Sequence, residues 1–377
     1  MFCENREVGQ ATMASTFDAL FNADYLPTKL LHRDLELNLL SKHFSPEENS
    51  DQSMNVLVHG SFGIGRTTLL RFFGQHEMKT FHQPLIRFQQ KQHNEIVADA
   101  LNALAPALPQ STSLPEQWTL VKRLLRKAEV PLLLTFDDVD HHTSELYGKF
   151  LQICKENGVS SMATAPRYFP RQLEAITSQF LDFSLELAPF SDYQFLDIVK
   201  QRVAEVYSNP VPIQITEFMS DLICLLDFQR PATVVDLLQN LHPLLCGPNL
   251  ITADTIRQAC INSSTLHYDF WSEHLSGLME LDVTTVLLLQ AIGQYFVTNP
   301  GQIYVAKSAL HSQFLQVSEC IGLIPSSSQF SRALNTLLFQ DLLLHSRYSS
   351  ENYFTLLPAT GYLDLVELLL GENQIEQ

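Results

Sequence analysis

Apolar residues change their spacing along the chain near residue 190, and the two spacings predict different structures. Before that point, short apolar runs alternate with segments in which apolar residues recur at helical intervals. The runs predict buried strands and the intervening segments predict helices. The strands are expected at 55–59, 84–88 and 130–136. Because strands alternate with helices, we expect a parallel sheet covered by helices on both faces.

After residue 190 the helical spacing is continuous over several segments. These segments predict helices at 193–206, 215–226, 231–241 and 253–259. Thr252 is expected to cap the last of these helices, because a threonine directly before a periodic segment is typical of a helix start. We interpret this part of the chain as entirely helical.

The final third of the chain predicts several helices followed by a β-hairpin. A helix at 329–338 precedes two apolar runs, 341–346 and 353–357, which residues 347–352 connect. A helix followed by a hairpin is the order of elements found in a winged helix. Residues 347–352 are therefore expected to form its wing.

Composition places the chain among folded globular proteins, with 45% hydrophobic and 17% charged residues in a total of 377. The longest apolar runs fall far short of the about 20 residues that a membrane-spanning helix needs. The N-terminus lacks the basic start and apolar core of a secretory signal. The six cysteines have neither the paired spacing of a metal site nor the density of a disulfide scaffold. We therefore expect a reducing intracellular compartment and no membrane partner.

The net charge of −17 argues against general nucleic-acid binding, which needs clustered lysines and arginines. Residues 268–377 carry three basic residues against eleven acidic ones, a balance of −8. In that segment the predicted recognition helix offers Arg332 and the predicted wing offers Arg347. Because a specific DNA module normally makes several phosphate contacts, duplex DNA remains a candidate partner that this acidity weakens.

The sharpest motif is a glycine-rich loop between the first predicted strand and a predicted helix. It reads Gly60-Ser61-Phe62-Gly63-Ile64-Gly65-Arg66-Thr67-Thr68 and fits the Walker A pattern G-x-x-x-x-G-K-[ST], except that Arg66 replaces the lysine. Such glycines let the backbone wrap around phosphates, and the N–H groups at the helix start donate to them. Thr67 is placed to hold Mg²⁺. A guanidinium is longer and forked, so we expect phosphate binding to survive and fast hydrolysis to be lost.

A second motif favours a phosphate site over a glycine-rich turn that binds no ligand. An apolar strand ends in Asp137 and Asp138, about 70 residues after the loop. In P-loop folds such a strand lies beside the loop strand and its first acid supports Mg²⁺, the role expected for Asp137. Asp138 stands where many ATPases carry a glutamate, and its side chain is one methylene shorter, which displaces a general base. The alternative is a buried strand that ends in solvated aspartates.

With these motifs the chain resembles the AAA+ family of replication initiators: the archaeal origin-binding initiators, the origin recognition complex subunits and the replication-licensing ATPase. Further segments that are similar to the family lie at 17–36, 187–202, 227–238 and 251–254. The resemblance implies an α/β P-loop AAA+ domain with a parallel sheet, an all-α lid and a C-terminal winged-helix domain. The boundaries expected from the sequence are 1–190 for the nucleotide-binding base, 191–267 for the lid and 268–377 for the winged helix.

The resemblance also implies ligands and residue roles. ATP and Mg²⁺ are the expected ligands, with Tyr25 and Pro27 beside the adenine and the loop around the phosphates. Arg230 of the lid would read the γ-phosphate, although a plain surface arginine is the alternative. Asp138 would be the base if hydrolysis occurs. The family's polar sensor-1 position falls near Thr164 or Ala165, and Thr164 is preferred of the two.

Three positions depart from the family's pattern. Arg66 replaces the lysine, Asp138 replaces the usual glutamate, and Ala175 stands where the family's arginine-valine-x-serine segment begins. Because several parts that serve hydrolysis change together, we expect an ATP-binding protein with slow hydrolysis at most. The resemblance implies a role in DNA replication initiation, within an assembly of AAA+ or other replication-complex subunits.

Two other interpretations remain open. In the first, the chain is a non-catalytic scaffold or pseudo-ATPase whose acidic winged helix binds protein partners instead of DNA. In the second, it is a signalling ATPase of the P-loop class with a helical lid and a winged helix. The compact length favours an archaeal protein in the cytoplasm, whereas a eukaryotic member of the family would be nuclear.

Overall fold

The computed structural model describes eleven parts of the chain, which together contain almost all of the predicted elements. They are residues 25–44, 53–79, 81–106, 113–128, 131–171, 173, 178–207, 210–227, 229–245, 251–263 and 281–372. The chain divides into two units, one at 22–194 and the other at 195–377 together with 1–21. The predicted boundaries at 190 and 267 remain predictions, and the second lies outside the described residues.

The first unit contains a five-stranded parallel sheet. Its strands are β1 (Asn55–Gly60), β2 (Leu85–Arg87), β3 (Leu133–Asp137), β4 (Ser160–Pro166) and β5 (Phe183–Leu187), in the order β2-β3-β4-β1-β5. Every residue of β1 and β3 is buried, as expected for parallel strands covered on both faces. The carboxyl ends of β1, β3 and β4 therefore lie next to one another, at the edge where the glycine-rich loop begins.

Among the described residues, one helix precedes β1 and further helices separate β1, β2, β3 and β4, with two between β2 and β3, as the spacing of apolar residues predicts. They are α1 (Asp34–Phe44), α2 (Arg66–Glu77), α3 (His93–Leu104), α4 (Leu114–Arg126) and α5 (Ser144–Glu156). Their apolar faces enclose aromatic rings that include Phe88, Phe136 and Phe150, with centroids 5.2 to 6.2 Å apart. Strand β4 escapes prediction because it carries Ser160, Ser161 and Thr164 and so lacks a continuous apolar run.

In its described residues, the second unit begins with four helices and ends with the winged-helix order of elements. The helices α6 (Asp192–Val206), which crosses the division between the units, α7 (Ile213–Asp227), α8 (Pro231–Leu241) and α9 (Ala253–Asn262) lie close to their predicted positions. Thr252 caps α9 by accepting a hydrogen bond from the N–H of Thr255 at 3.2 Å, which confirms the predicted cap. We call α7, α8 and α9 the lid helices.

The winged helix consists of α10 (Val283–Thr298), β6 (Val305–Ala306), α11 (Lys307–Cys320), α12 (Ser327–Phe339), β7 (Leu344–Ser346), β8 (Ser349–Phe354) and the final helix α13 (Ala359–Glu372). Its three strands form an antiparallel sheet in the order β6-β8-β7. Among the described residues, no helix is long and apolar enough to cross a membrane.

The wing is shorter than the sequence predicts. Strand β8 begins at Ser349, so the hairpin turn comprises Arg347 and Tyr348 instead of the predicted residues 347–352. The first residues of β8 are polar and mostly exposed, which is why the spacing of apolar residues places them in a loop. Strand β6 has two residues and leaves no periodic signal at all.

Asn55 provides a test of how the loop-bearing strand is held. Its buried side-chain amide donates to the carbonyls of Leu151 and Phe180 at 3.2 and 2.8 Å and accepts from the hydroxyl of Ser161 at 2.6 Å. Asn55→Leu leaves these buried groups without partners, so we expect urea denaturation to show a loss of about 2–4 kcal/mol in the free energy of unfolding. Asn38→Leu on the exposed side of α1 is the control, and equal losses in the two variants would contradict this account.

Candidate functional site

The glycine-rich loop connects the buried end of β1 to the start of α2. Gly65 has φ = 96° and lies immediately before α2, a left-handed conformation that favours glycine. At Gly60 an added Cβ would lie 3.1 Å from Cγ2 of Ile64 and 3.2 Å from Cβ of Leu187, which leaves little space for a side chain. The local sequence therefore fits a loop that passes close to β5 and then turns sharply into the helix.

The remaining loop residues differ in exposure. Ser61 and Phe62 are exposed, Ile64 is buried, and Gly63 has φ = 73°. Thr67 and Thr68 lie half-buried in the first turn of α2, where backbone N–H groups have no partner within the helix.

The carboxylate of Asp137 connects the loop helix to the sheet. Its Oδ1 accepts hydrogen bonds from the hydroxyls of Thr67 at 2.8 Å and Thr164 at 2.7 Å. The same Thr164 hydroxyl accepts from the backbone N–H of Asp138 at 2.8 Å. A threonine hydroxyl beside a carboxylate at the end of a strand supplies the oxygen ligands that Mg²⁺ prefers.

Arg66 and Asp138, the two altered positions of the motifs, contact each other. Nη2 of Arg66 lies 3.3 Å from Oδ1 of Asp138, and the arginine side chain is 9% exposed. Within the described part of the chain, Nη1 of Arg66 is buried without a hydrogen-bond partner. A buried guanidinium nitrogen without an acceptor indicates a place for an anion.

Burial changes the pKa values of both partners in this pair. It lowers the pKa of Arg66, against the opposite effect of Asp138 and Asp137. It raises the pKa of Asp138, which Arg66 opposes and the carboxylates of Asp137 and Asp140 reinforce. Asp138 also has φ = 60°, a conformation that aspartate tolerates better than most residues.

A cleft of about 480 Å³ opens beside this pair. It is lined by Gly60, Ser61, Phe62, Arg66, Gln89, Asp138, Asp140, Pro166, Arg167 and Tyr168. Five of these are absent from the residues predicted for the site: Gln89, Asp140, Pro166, Arg167 and Tyr168. They lie at or just beyond the carboxyl ends of β2, β3 and β4, so the rule that ligands bind beyond the carboxyl ends of parallel strands would have identified them.

The segment ahead of α1 contacts the residues that follow β5. Arg33 donates to the carbonyl of Ala188 at 3.1 Å, and its guanidinium lies 4.0 Å from the ring centroid of Phe190. In the same segment Tyr25 is half-buried and Pro27 is buried. Their expected place beside an adenine remains a prediction.

Arg230 belongs to the second unit and directly precedes α8. Pro231 is the first residue of that helix, a position where proline fits well. Nη1 of Arg230 lies 3.1 Å from Oδ1 of Asp227, whose other oxygen accepts from the hydroxyl of Thr233. The role of Arg230 toward a γ-phosphate remains a prediction, and Ala175 lies outside the described residues.

The residues around Asp137 fit Mg²⁺ better than they fit a metal held by protein alone. In the described ranges no three histidine, cysteine, aspartate or glutamate side chains converge on a metal site. Mg²⁺ needs no such cluster, because it commonly binds one or two protein oxygens together with phosphates and water. The unpartnered Nη1 of Arg66 and the Thr67–Asp137 pair are therefore compatible with a magnesium-bound phosphate.

Comparison with known proteins shows which fold this chain has. No protein-family model matches the chain. The ORC1-type DNA replication protein 1 of Sulfolobus acidocaldarius is 23% identical over 259 residues, which span 63% of this chain and 64% of that protein. The structure of Cdc6p from Pyrobaculum aerophilum superimposes with a TM-score of 0.78 at 18% identity, over 94% of this chain and 98% of the other.

The chain has the fold of the AAA+ replication initiators. Two Aeropyrum pernix structures also superimpose on this chain. The ORC2 protein in ADPNP–ADP complexes does so with a TM-score of 0.57 at 16% identity, over 94% of this chain and 98% of the other. The ORC1 protein in complex with DNA does so with a TM-score of 0.54 at 16% identity, over 92% of this chain and 95% of the other. The resemblance to this initiator family and the predicted α/β AAA+ fold class are both confirmed.

In this initiator fold, the hydroxyl of Thr164 is expected to hold Asp137 and Asp138 in place. Thr164→Val keeps the shape of the side chain, but it takes one hydrogen-bond partner from the N–H of Asp138 and one from the carboxylate of Asp137. We expect a loss of about 1–3 kcal/mol in the free energy of unfolding, measured by urea denaturation.

Thr164→Ser is the matched control, because it keeps the hydroxyl and should lose about 1 kcal/mol at most through one buried methyl group. A serine variant as unstable as the valine variant would show that packing of the methyl group matters and the hydrogen bonds do not.

Proposed function

We propose that this protein is an ATP-binding AAA+ factor of replication initiation that hydrolyses ATP slowly or not at all. The main observation in support is the buried Arg66, which keeps one nitrogen without an acceptor beside the Thr67–Asp137 pair. Because Asp138 contacts only Nη2, the burial of Nη1 without an acceptor costs free energy unless an anion binds there. The initiator fold, and its likeness to an ORC2 protein solved with ADPNP and ADP, make a nucleoside triphosphate the best candidate anion.

The loop from Gly60 to Thr68 would surround the phosphates, and Thr67 with Asp137 would hold Mg²⁺. When bound, the magnesium nucleotide supplies the negative charge that the loop and Arg66 neutralise. Asp137 keeps its orientation through Thr164, so the pair is preorganised before any ligand arrives. Tyr25 and Pro27 are proposed for the adenine, and Arg230 for the γ-phosphate.

Slow hydrolysis follows from the contact between Arg66 and Asp138. A general base must be free to accept a proton from water, whereas the Asp138 carboxylate lies 3.3 Å from a guanidinium nitrogen. The aspartate is also one methylene shorter than the glutamate it replaces, and small displacements of a base cost large factors in rate. If hydrolysis occurs, we propose Asp138 as its base.

The partners proposed for the protein are other AAA+ or replication-complex subunits. One structural neighbour is an ORC1 protein in complex with DNA, so duplex DNA is also proposed as a partner. The acidic winged helix weakens this second proposal, because phosphate contacts require basic side chains. The archaeal cytoplasm remains the proposed location, since the curated relative comes from an archaeon.

A second candidate function is a scaffold that binds protein partners without using ATP. The acidic winged helix favours it, and the two basic clusters of the first unit, at 122–127 and at 167–171, do not provide a clear alternative surface for DNA. In those clusters Arg126 donates to the side chain of Asn157 at 2.9 Å, and Arg167 pairs with Glu186 at 2.7 Å. Mobility of duplex DNA at low salt would distinguish an initiator from such a scaffold.

Calorimetric titration with ATP and Mg²⁺ tests the proposed function, after a check for nucleotide that co-purifies with the protein. We expect micromolar or tighter binding, and an affinity at least about tenfold weaker in Thr67→Ala and in Asp137→Ala, since each removes a proposed magnesium ligand.

Thr119→Ala is the control, because this exposed threonine of α4 lies outside the proposed nucleotide site. Unchanged affinity in both Thr67→Ala and Asp137→Ala would refute the site. No binding and no carried nucleotide would favour the scaffold.

The altered pair supplies a separate test of slow hydrolysis. The double variant Arg66→Lys with Asp138→Glu restores the residues typical of the family, so phosphate release at saturating ATP should rise at least about tenfold above the wild type. Adding Thr67→Ala to the double variant should abolish the gain and so exclude a contaminating ATPase. A rate that stays at the wild-type level would place the cause of slow hydrolysis elsewhere.

A further inference from the structure

The two-residue wing turn lies against the lid helix α7. The backbone N–H of Arg347 donates to Oδ1 of Asp221 at 2.9 Å, and the hydroxyls of Tyr348 and Ser220 are 2.5 Å apart. Nη2 of Arg347 also lies 3.4 Å from the carbonyl oxygen of Cys224. The polar atoms at the tip of the hairpin are therefore engaged by the same chain.

Asp221 is the centre of this contact. Asp221 is 2% exposed, and its second carboxylate oxygen, Oδ2, accepts a hydrogen bond from the hydroxyl of Tyr304 at 2.9 Å. Burial raises the pKa of Asp221, and the hydrogen bonds that oppose this shift come from Arg347, Ser346 and Tyr304. These three residues all belong to the winged helix. The Asp221 carboxylate of the lid thus takes its hydrogen bonds from the winged helix. Separating the lid from the winged helix would leave this carboxylate buried without donors or require water to enter.

A second contact runs in parallel. Arg257 of α9 donates from Nε to the carbonyl of Thr355 at 3.0 Å and from Nη2 to its hydroxyl at 3.3 Å. Between the two polar contacts, the ring of Phe218 from the lid packs edge-on against Tyr304 and Phe354, with centroids 6.3 and 5.7 Å away. Buried hydrogen bonds on both sides of an aromatic cluster define one relative position of the lid helices and the winged helix.

We infer that the wing turn of this protein is a joint to the lid and not a DNA-contacting element, and that Asp221 is the residue that closes the joint. Arg347 is exposed, yet its amide, its guanidinium and the neighbouring Tyr348 hydroxyl all bind α7, so the turn is committed to the lid. The one arginine that the predicted wing offers is therefore assigned to this contact and not to DNA. A movement of the lid helices is transmitted to the winged helix through this joint, with or without nucleotide.

Hydrogen exchange of the Arg347 amide tests the joint directly, because the acceptor of this N–H is the Asp221 carboxylate. In the full-length protein, Asp221→Ala should accelerate exchange of this amide at least about tenfold, the size expected for losing a hydrogen bond to a charged group. Asp227→Ala is the matched control, because Asp227 is a buried aspartate of the same helix and its side chain binds Arg230 and Thr233, at the start of α8.

Tyr304→Phe removes one donor to Asp221 and keeps the ring, so it serves if Asp221→Ala does not fold. It should accelerate exchange at Arg347 by a smaller factor. Exchange at Arg347 that is unchanged in both variants, or equally fast in the Asp227→Ala control, would overturn the joint.

Duplex DNA provides an independent measurement at low salt. Arg347→Ala keeps the backbone N–H that binds Asp221 and removes the guanidinium, so the affinity for a short mixed-sequence duplex should stay within about twofold of the wild type. Absence of duplex binding in both proteins agrees with the joint as well. A loss of affinity of about tenfold or more in Arg347→Ala would mean that the wing contacts DNA and would overturn the inference.

Discussion

One buried carboxylate, that of Asp137, holds the first unit's site together. It joins the first turn of α2 to the sheet by accepting from Thr67, and it joins two neighbouring strands by accepting from Thr164. A buried charge is tolerated only where donors surround it, so the positions of the loop helix, β3 and β4 are mutually constrained. The same arrangement leaves a hydroxyl and a carboxylate together at the edge of the sheet, where a hydrated cation and phosphates can be accommodated.

The contact between Arg66 and Asp138 gives the two departures from the family's pattern a common explanation. A longer basic residue and a shorter acidic one face each other across the cleft and form an ion pair. Arg66 keeps a positive charge at the loop, which suits phosphate binding. Its contact occupies the Asp138 carboxylate, which does not suit proton abstraction from water. Both effects fit the function proposed above, ATP binding with slow hydrolysis.

The second unit adds a mechanical constraint of a different kind. Its winged helix has its own apolar core, yet polar side chains of the lid helices reach it through Asp221 and Arg257. Because these groups are buried, the lid helices and the winged helix are expected to move together. The acidic character of the winged helix and the contact of its turn with α7 both favour protein over DNA as the partner of this region.

The sequence by itself determined the kinds of elements, the glycine-rich loop and the acidic strand end, because periodicity and motif spacing are local properties of a chain. It also carried the family resemblance, which the fold confirms. Tertiary structure alone decided that Arg66 meets Asp138 across 72 positions of sequence, and that the Arg347 amide meets Asp221 across 126. It likewise shortened the wing, since the polar start of β8 is stabilised by pairing with β7 and not by apolar burial. Such contacts depend on which strand ends and turns become neighbours, and no local pattern records that.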